Sequence, residues 1–169
     1  MRVEFPCVAG LAVFAACASP SSPSPSAKAL SRLPATGFLA VEGGRVWYEV
    51  HGTGTRTPLL VLHGGPGIPH DYLANLALLG DERPVVFYDQ LGCGRSDRPN
   101  DKSLWELDRF IEELAVVRDA LGLEPAHLLG SSWGGMLAMQ YVLDHRPSLV
   151  GLVLASSPAS SRRWTHDCS

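Results

Sequence analysis

Gly130-Ser131-Ser132-Trp133-Gly134 places Ser132 between glycines two residues to either side. A serine in G-x-S-x-G spacing can serve as a nucleophile when a strand runs into it and a helix runs out. The flanking glycines leave room where side chains would collide across such a sharp turn. The helix that follows points free N–H groups and the positive end of its dipole at the reacting atoms. Ser131, one step earlier, reads as packing. Addition to a carbonyl also needs two donors fixed around the developing oxyanion. The N–H of Trp133, next after the nucleophile, is one candidate. His63-Gly64-Gly65-Pro66-Gly67 offers the other, because a loop this rich in glycine brings backbone close to a substrate carbonyl. Gly65 is the preferred donor and Gly64 its close competitor. His63, Gly64, Pro66 and Gly67 support the loop, and His63 reads as a hydrogen-bonded brace rather than a base.

These groups need elements to hold them. "GFLAVEGGRVWYEVHG" reads as two strands joined at Gly43-Gly44. "PLLVLHG", "PVVFYDQ", "AHLLGSS" and "LVGLVLAS" are short apolar runs of the kind that form strands buried on both faces. Ser103 with Glu106 has the spacing of a capping box. The apolar series Leu107, Phe110, Ile111, Leu114, Val117, Leu121 follows at helical spacing and Gly122 closes it. A second helix is expected from about Trp133 to His145, ahead of Pro147. Strands alternating with helices give an α/β fold, a mostly parallel sheet of about six strands with helices on both faces. Both chemical constellations then fall at the carboxyl ends of strands, where sites in such sheets assemble.

The 169 residues suit one domain, and 46% hydrophobic with 18% charged residues is ordinary for a packed core. A net charge of −3, with no basic stripe, gives no reason to expect nucleic acid as a partner. Of the four cysteines only Cys93 lies in the expected core, which leaves no internal disulfide framework, and Cys93 reads as a small packed thiol.

The first residues differ in character. Arg2 precedes the apolar run Val8–Ala18, too short to span a bilayer but suited to a signal peptide over residues 1–18. "FAAC" resembles a lipobox with Cys17 as the lipidated residue, although Phe14 and Glu4 depart from the usual pattern. Cleavage after Ala18 competes with it. The expectation is export to the cell envelope or secretion, with any membrane association through an N-terminal lipid anchor. A start codon placed too far upstream on a cytoplasmic protein is the alternative. Residues 19–36 read as a Ser/Pro-rich linker with little to bury.

"HGGPG", then "YDQLGCGRSD", then "GSSWGG" in this order resembles the proline iminopeptidases of the α/β-hydrolase fold, over about Gly37 to Ser160. The resemblance implies Ser132 as nucleophile, Gly65 and Trp133 as oxyanion donors, and Asp89 and Gln90 as support for the loop beside the pocket. It implies no metal and no organic cofactor. Its substrate is a small peptide or amide that loses an N-terminal proline or similar small residue; oligomeric state is not readable. A serine at the elbow argues against relatives that attack through a carboxylate. In the family, the triad acid and histidine follow later strands beyond a helical cap. Residues 37–160 therefore match an N-terminal part of the fold, and residues 161–169 look like the start of the cap. His166 and Asp167 are adjacent in a tail and poorly placed to substitute. The triad acid and histidine are thus expected to be absent from this chain, which leads to the expectation of a truncated chain inactive as it stands, or of one half needing a complementing chain. An esterase or lactonase of the same fold is a further alternative. "LVGLVLAS" is expected to present an unpaired apolar edge.

Overall fold

The computed structural model describes residues 22–159. The signal and lipidation readings, including Cys17, and the residues 161–169 lie outside that range. Six strands form one sheet: β1 (Thr36–Val41), β2 (Gly44–His51), β3 (Leu59–Leu62), β4 (Val85–Asp89), β5 (Ala126–Ser131) and β6 (Leu149–Ala155), in the order β1-β2-β4-β3-β5-β6. The hairpin β1-β2 and the pair β2-β4 are antiparallel, whereas β3-β4, β3-β5 and β5-β6 are parallel. Gly43 takes φ +89 in the hairpin turn, a conformation that other residues adopt only with strain.

Alternation along the central strands divides the core. Leu60, Leu62, Val86, Tyr88 and Leu128 point to one face, against helices α2 (Leu107–Ala120) and α3 (Trp133–His145). Leu59, Val61, Val85 and Phe87 point to the other, against Leu73, Leu76 and Ala77 of a 3-10 stretch, His70–Asp81. Every residue of β3 and β4 is buried, as continuous apolar runs require in a sheet covered on both sides.

Three expectations change in detail. The segment read as a linker contains helix α1 (Pro25–Leu30), capped by Ser24, which buries Ser26, Ala27 and Leu30. Two apolar side chains sufficed because they dock on an existing core. Ser103 and Glu106 do not form a capping box: Ser103 donates its N–H and its hydroxyl to Asp101 Oδ1, at 2.9 and 2.7 Å. That bond builds a 3-10 turn, Lys102–Leu104, and α2 starts at Leu107 with Glu106 as an N-cap whose side chain caps nothing. Finally, β6 is not buried on both faces. Among the described residues it pairs only with β5, and Val150, Leu152, Val153 and Leu154 are exposed, the apolar edge expected of this strand.

Candidate active site

Ser132 sits where β5 ends and α3 begins, with φ +52 and ψ −117. A non-glycine residue rarely holds positive φ, and the strain persists only where surrounding contacts over-determine it. Those contacts are specific. The Ser132 N–H donates to the Ala155 carbonyl at 2.9 Å, tying the turn to β6. The Ser132 carbonyl accepts from Gly135 and Met136 N–H, which starts the helix. A side chain on Gly130 would collide with the Gly134 carbonyl, and one on Gly134 with the carbonyls of Leu62 and His63. Serine is a favoured N-cap, yet Ser132 makes no side-chain cap bond to its own helix.

The loop after β3 lies against this turn. A Cβ on Gly64 would stand 3.1 Å from Ser132 Cβ and 3.0 Å from the Ser131 carbonyl, so this close approach needs glycine. The Gly64 N–H donates to Tyr72 Oη at 2.7 Å. Gly65, by contrast, is exposed, with φ +118, followed by a cis bond to Pro66.

His63 is fully buried and both ring nitrogens are engaged. Nδ1–H donates to the Gly64 carbonyl at 3.0 Å and Nε2 accepts from the Gln90 N–H at 2.9 Å. Those roles fix a neutral tautomer, and burial pulls the ring below its ordinary pKa. Gln90 completes the brace. Its Nε2 donates to the His63 carbonyl at 3.0 Å, and its Oε1 accepts from Trp133 Nε1–H at 3.0 Å. One buried amide thus joins the loop after β3, the loop after β4 and the residue following Ser132.

Asp89 stands beside this brace and holds the next turn. Its Oδ1 accepts from the His70 N–H at 3.2 Å and from His70 Nδ1 at 2.8 Å, while Oδ2 accepts from the Arg95 N–H at 2.9 Å. Burial pushes the Asp89 carboxyl up, but these hydrogen bonds together outweigh it and leave it below the usual carboxylate range. His63, Asp89 and Cys93 each bring one donor atom within 4.8 Å of the others. The His63 lone pair is already given to Gln90, and burial pushes the Cys93 thiol up to about 12, so the set does not fit a metal.

His70 and Tyr72 were not singled out in the sequence. The signal was there in "IPHDY", directly after HGGPG, but histidine and tyrosine in a loop carry no spacing rule. The His70 ring lies between Asp89 and Glu49, whose Oε1 is 3.2 Å from Nε2, and it stacks on Trp47. The hydrogen bond to Asp89 raises the His70 pKa against the opposing effect of burial, with the charges of Asp89, Glu49 and Asp71 adding to the rise. A folded-state pKa raised above the unfolded value means stability that is full below about pH 6.5 and lost as pH rises through the folded value. His63, shifted the other way, acts in the window below about pH 6.5. The urea midpoint should therefore fall as pH rises above about 6.5, and His70→Gln should flatten that fall.

An aromatic cleft of about 450 Å³ opens beside the turn, between Pro66 and Gly67 on one side and Trp133 on the other.

A strand-to-helix turn carrying a strained serine, walled by a glycine loop from the neighbouring strand of a mostly parallel sheet, defines an α/β hydrolase. The chain belongs to the alpha/beta hydrolase fold family, which it matches over residues 57–167. Within it the chain is similar to proline iminopeptidases. It is 52% identical over 133 residues to the proline iminopeptidase of Heyndrickxia coagulans, covering 78% of this chain and 46% of that protein. Against the enzyme of Lactiplantibacillus plantarum the figures are 45% over 134 residues, 76% and 47%. The crystal structure of the Mycobacterium smegmatis proline iminopeptidase superposes with a TM-score of 0.72 at 40% identity, over 78% of this chain and 46% of that one. The chain thus spans about half the length of the curated relatives it matches.

Proposed function

We propose that Ser132 is the nucleophile of a proline iminopeptidase-type serine hydrolase, which releases an N-terminal proline or similar small residue from peptides or amides. The observation that carries this reading is the strained backbone of Ser132, which presents a serine that caps nothing against a glycine loop. Ser132 Oγ would attack the carbonyl carbon, its proton passing to a base, and the carbonyl oxygen would become the oxyanion. The N–H groups of Gly65 and Trp133 would receive that charge. Gly65 is preferred over Gly64 because the Gly64 N–H is already given to Tyr72. Collapse would expel the amine and leave an acyl-serine for water to hydrolyse.

The base is the unassigned part. His63, His70, His51 and His145 are engaged with Gln90, Asp89, Glu49 and Glu112 respectively. His127 is the second residue of β5, near the far end of that strand from Ser132. We accordingly look for the base outside residues 22–159.

With imidazole added as an external base, a fluorophosphonate probe on the purified chain should label Ser132, read by peptide mass spectrometry, and Ser132→Ala should abolish the label. Turnover of a prolyl arylamide above the Ser132→Ala background would place a base within the chain. Labelling without turnover would place it outside these 169 residues. Turnover of simple esters but not prolyl amides would move the reading to an esterase or lactonase. A chain with no label at Ser132 would overturn it.

A further inference from the structure

The cleft beside Ser132 has a chemistry of its own. Its walls are Trp105, Phe110 and Trp133, with Leu91 and Pro66 completing them. The rings form a continuous set: Trp105 stacks on Phe110 at 6.4 Å between centroids, and Phe110 meets Trp133 edge-on at 5.7 Å. Gln90 contributes the polar side chain, and its amide is committed on both sides, to the His63 carbonyl and to Trp133 Nε1. Among the described residues, no charged side chain lines the space. Arg109 lies over the Phe110 ring at 3.9 Å, but its guanidinium is spent on Glu113 and the Leu104 carbonyl.

Such a cleft holds no counter-charge for an ammonium among its described lining, and the Phe110 face is already covered by the Arg109 guanidinium. It suits an uncharged apolar group with flat faces, since rings gain from offset or edge-on contact beyond simple area burial. Its place is also specific. Pro66 and Gly67 continue directly from Gly65, and Trp133 follows Ser132, so whatever fills the cleft lies next to a carbonyl held between those residues. Trp105 is the adjustable wall. It is 42% exposed, and its indole packs on Gly92, where a Cβ would come within 2.7 Å of Cη2.

We propose that this cleft is an aromatic subsite for an uncharged ring flanking the scissile bond, and that Trp105 sets its preference for rings over open-chain groups. The proposal rests on the reading of Ser132 as nucleophile for its place in a reaction, though not for the binding itself. The substrate's charged amine is then held elsewhere than in this cleft.

The test titrates N-benzylacetamide, with N-methylacetamide as the ringless control, into the full chain by ligand-observed NMR. The fluorophosphonate label is read on the same samples. Saturable binding of the benzyl amide alone is expected, roughly five- to tenfold weaker in Trp105→Ala and recovered in Trp105→Phe. Labelling of Ser132 should survive in both variants, which also reports that they are folded. Equal affinity in the wild type and Trp105→Ala would overturn the subsite, as would equal affinity for the ringless amide. Absence of ring binding while Ser132 still labels would overturn it too, leaving the nucleophile intact. Trp105-dependent ring binding without any label would uphold the subsite and sink the nucleophile reading instead.

Discussion

Gly134→Ala is expected to leave little folded protein. The added methyl group would enter the space held by the carbonyl oxygens of Leu62 and His63, the latter 2.5 Å away. Those atoms are backbone at the end of β3, fixed by ladder bonds to β5 and, through His63, by Gln90. Neither side of the clash is a flexible side chain that could move aside. Relief would require α3 to shift away from the sheet, disturbing the packing of Leu137, Ala138 and Tyr141. A cost of at least about 3 kcal/mol follows, a large share of the stability of an ordinary domain. Gly67→Ala is the informative contrast. Gly67 has φ +92 but nothing within 4 Å of a Cβ, so strain alone applies, about 1–2 kcal/mol. Urea unfolding of both variants by circular dichroism would separate them. Similar losses would mean that the elbow is not close-packed.

The contrast explains what could be read from residues alone. Gly130, Ser132 and Gly134 declared the elbow because a steric constraint at fixed spacing leaves a mark in the sequence. β3 and β4 were legible for a similar reason: strands buried on both faces must be apolar throughout. The His63–Gln90–Trp133 brace was only half visible. His63 and Gln90 were recognised as supports, but the bond from Gln90 to Trp133 joins residues 43 positions apart, and no local pattern encodes it. His70 was passed over for the same reason, since its partners Asp89 and Glu49 come from two other strands. Ser103 and Glu106 failed in the opposite direction. Their spacing was right, but Asp101 competed for the same donors and won, because an Asp side chain reaches N–H groups two residues on without needing a helix. Helix α1 was missed because composition describes a segment in isolation, whereas Leu30 is buried by the rest of the molecule. In each miss the deciding contact was long-range or was a competitor just outside the motif.

Glu113→Ala should rank with Gly134→Ala in its effect, through electrostatics rather than sterics. Glu113 lies on the buried face of α2, in an i,i+4 pair with Arg109, and its carboxylate also faces the Leu91 N–H at 3.3–3.4 Å. Burial pushes the Glu113 carboxyl above its ordinary value even though Arg109 pulls it down. The sign matters. A carboxyl whose folded pKa is raised binds protons more tightly when folded, so it costs stability as pH rises past about 4.5. The pair is therefore no large net asset compared with apolar side chains of similar volume. Removing one member is a different matter, because Arg109 would remain buried with its charge uncompensated, and one of its nitrogens, Nη2, already lacks a partner among the described residues. Such a cut costs about 3–5 kcal/mol. The double variant Arg109→Met/Glu113→Leu should recover most of that loss, since it removes both charges together. The two changes also separate stability from site shape. Leu91 and Phe110 line the aromatic cleft, one held by Glu113 and the other beneath Arg109. The double variant should thus unfold at a urea concentration near that of the wild type while binding the benzyl amide more weakly, because the Leu91 N–H has lost its acceptor. Full stability with unchanged ring binding would show that the charged pair does not position the cleft.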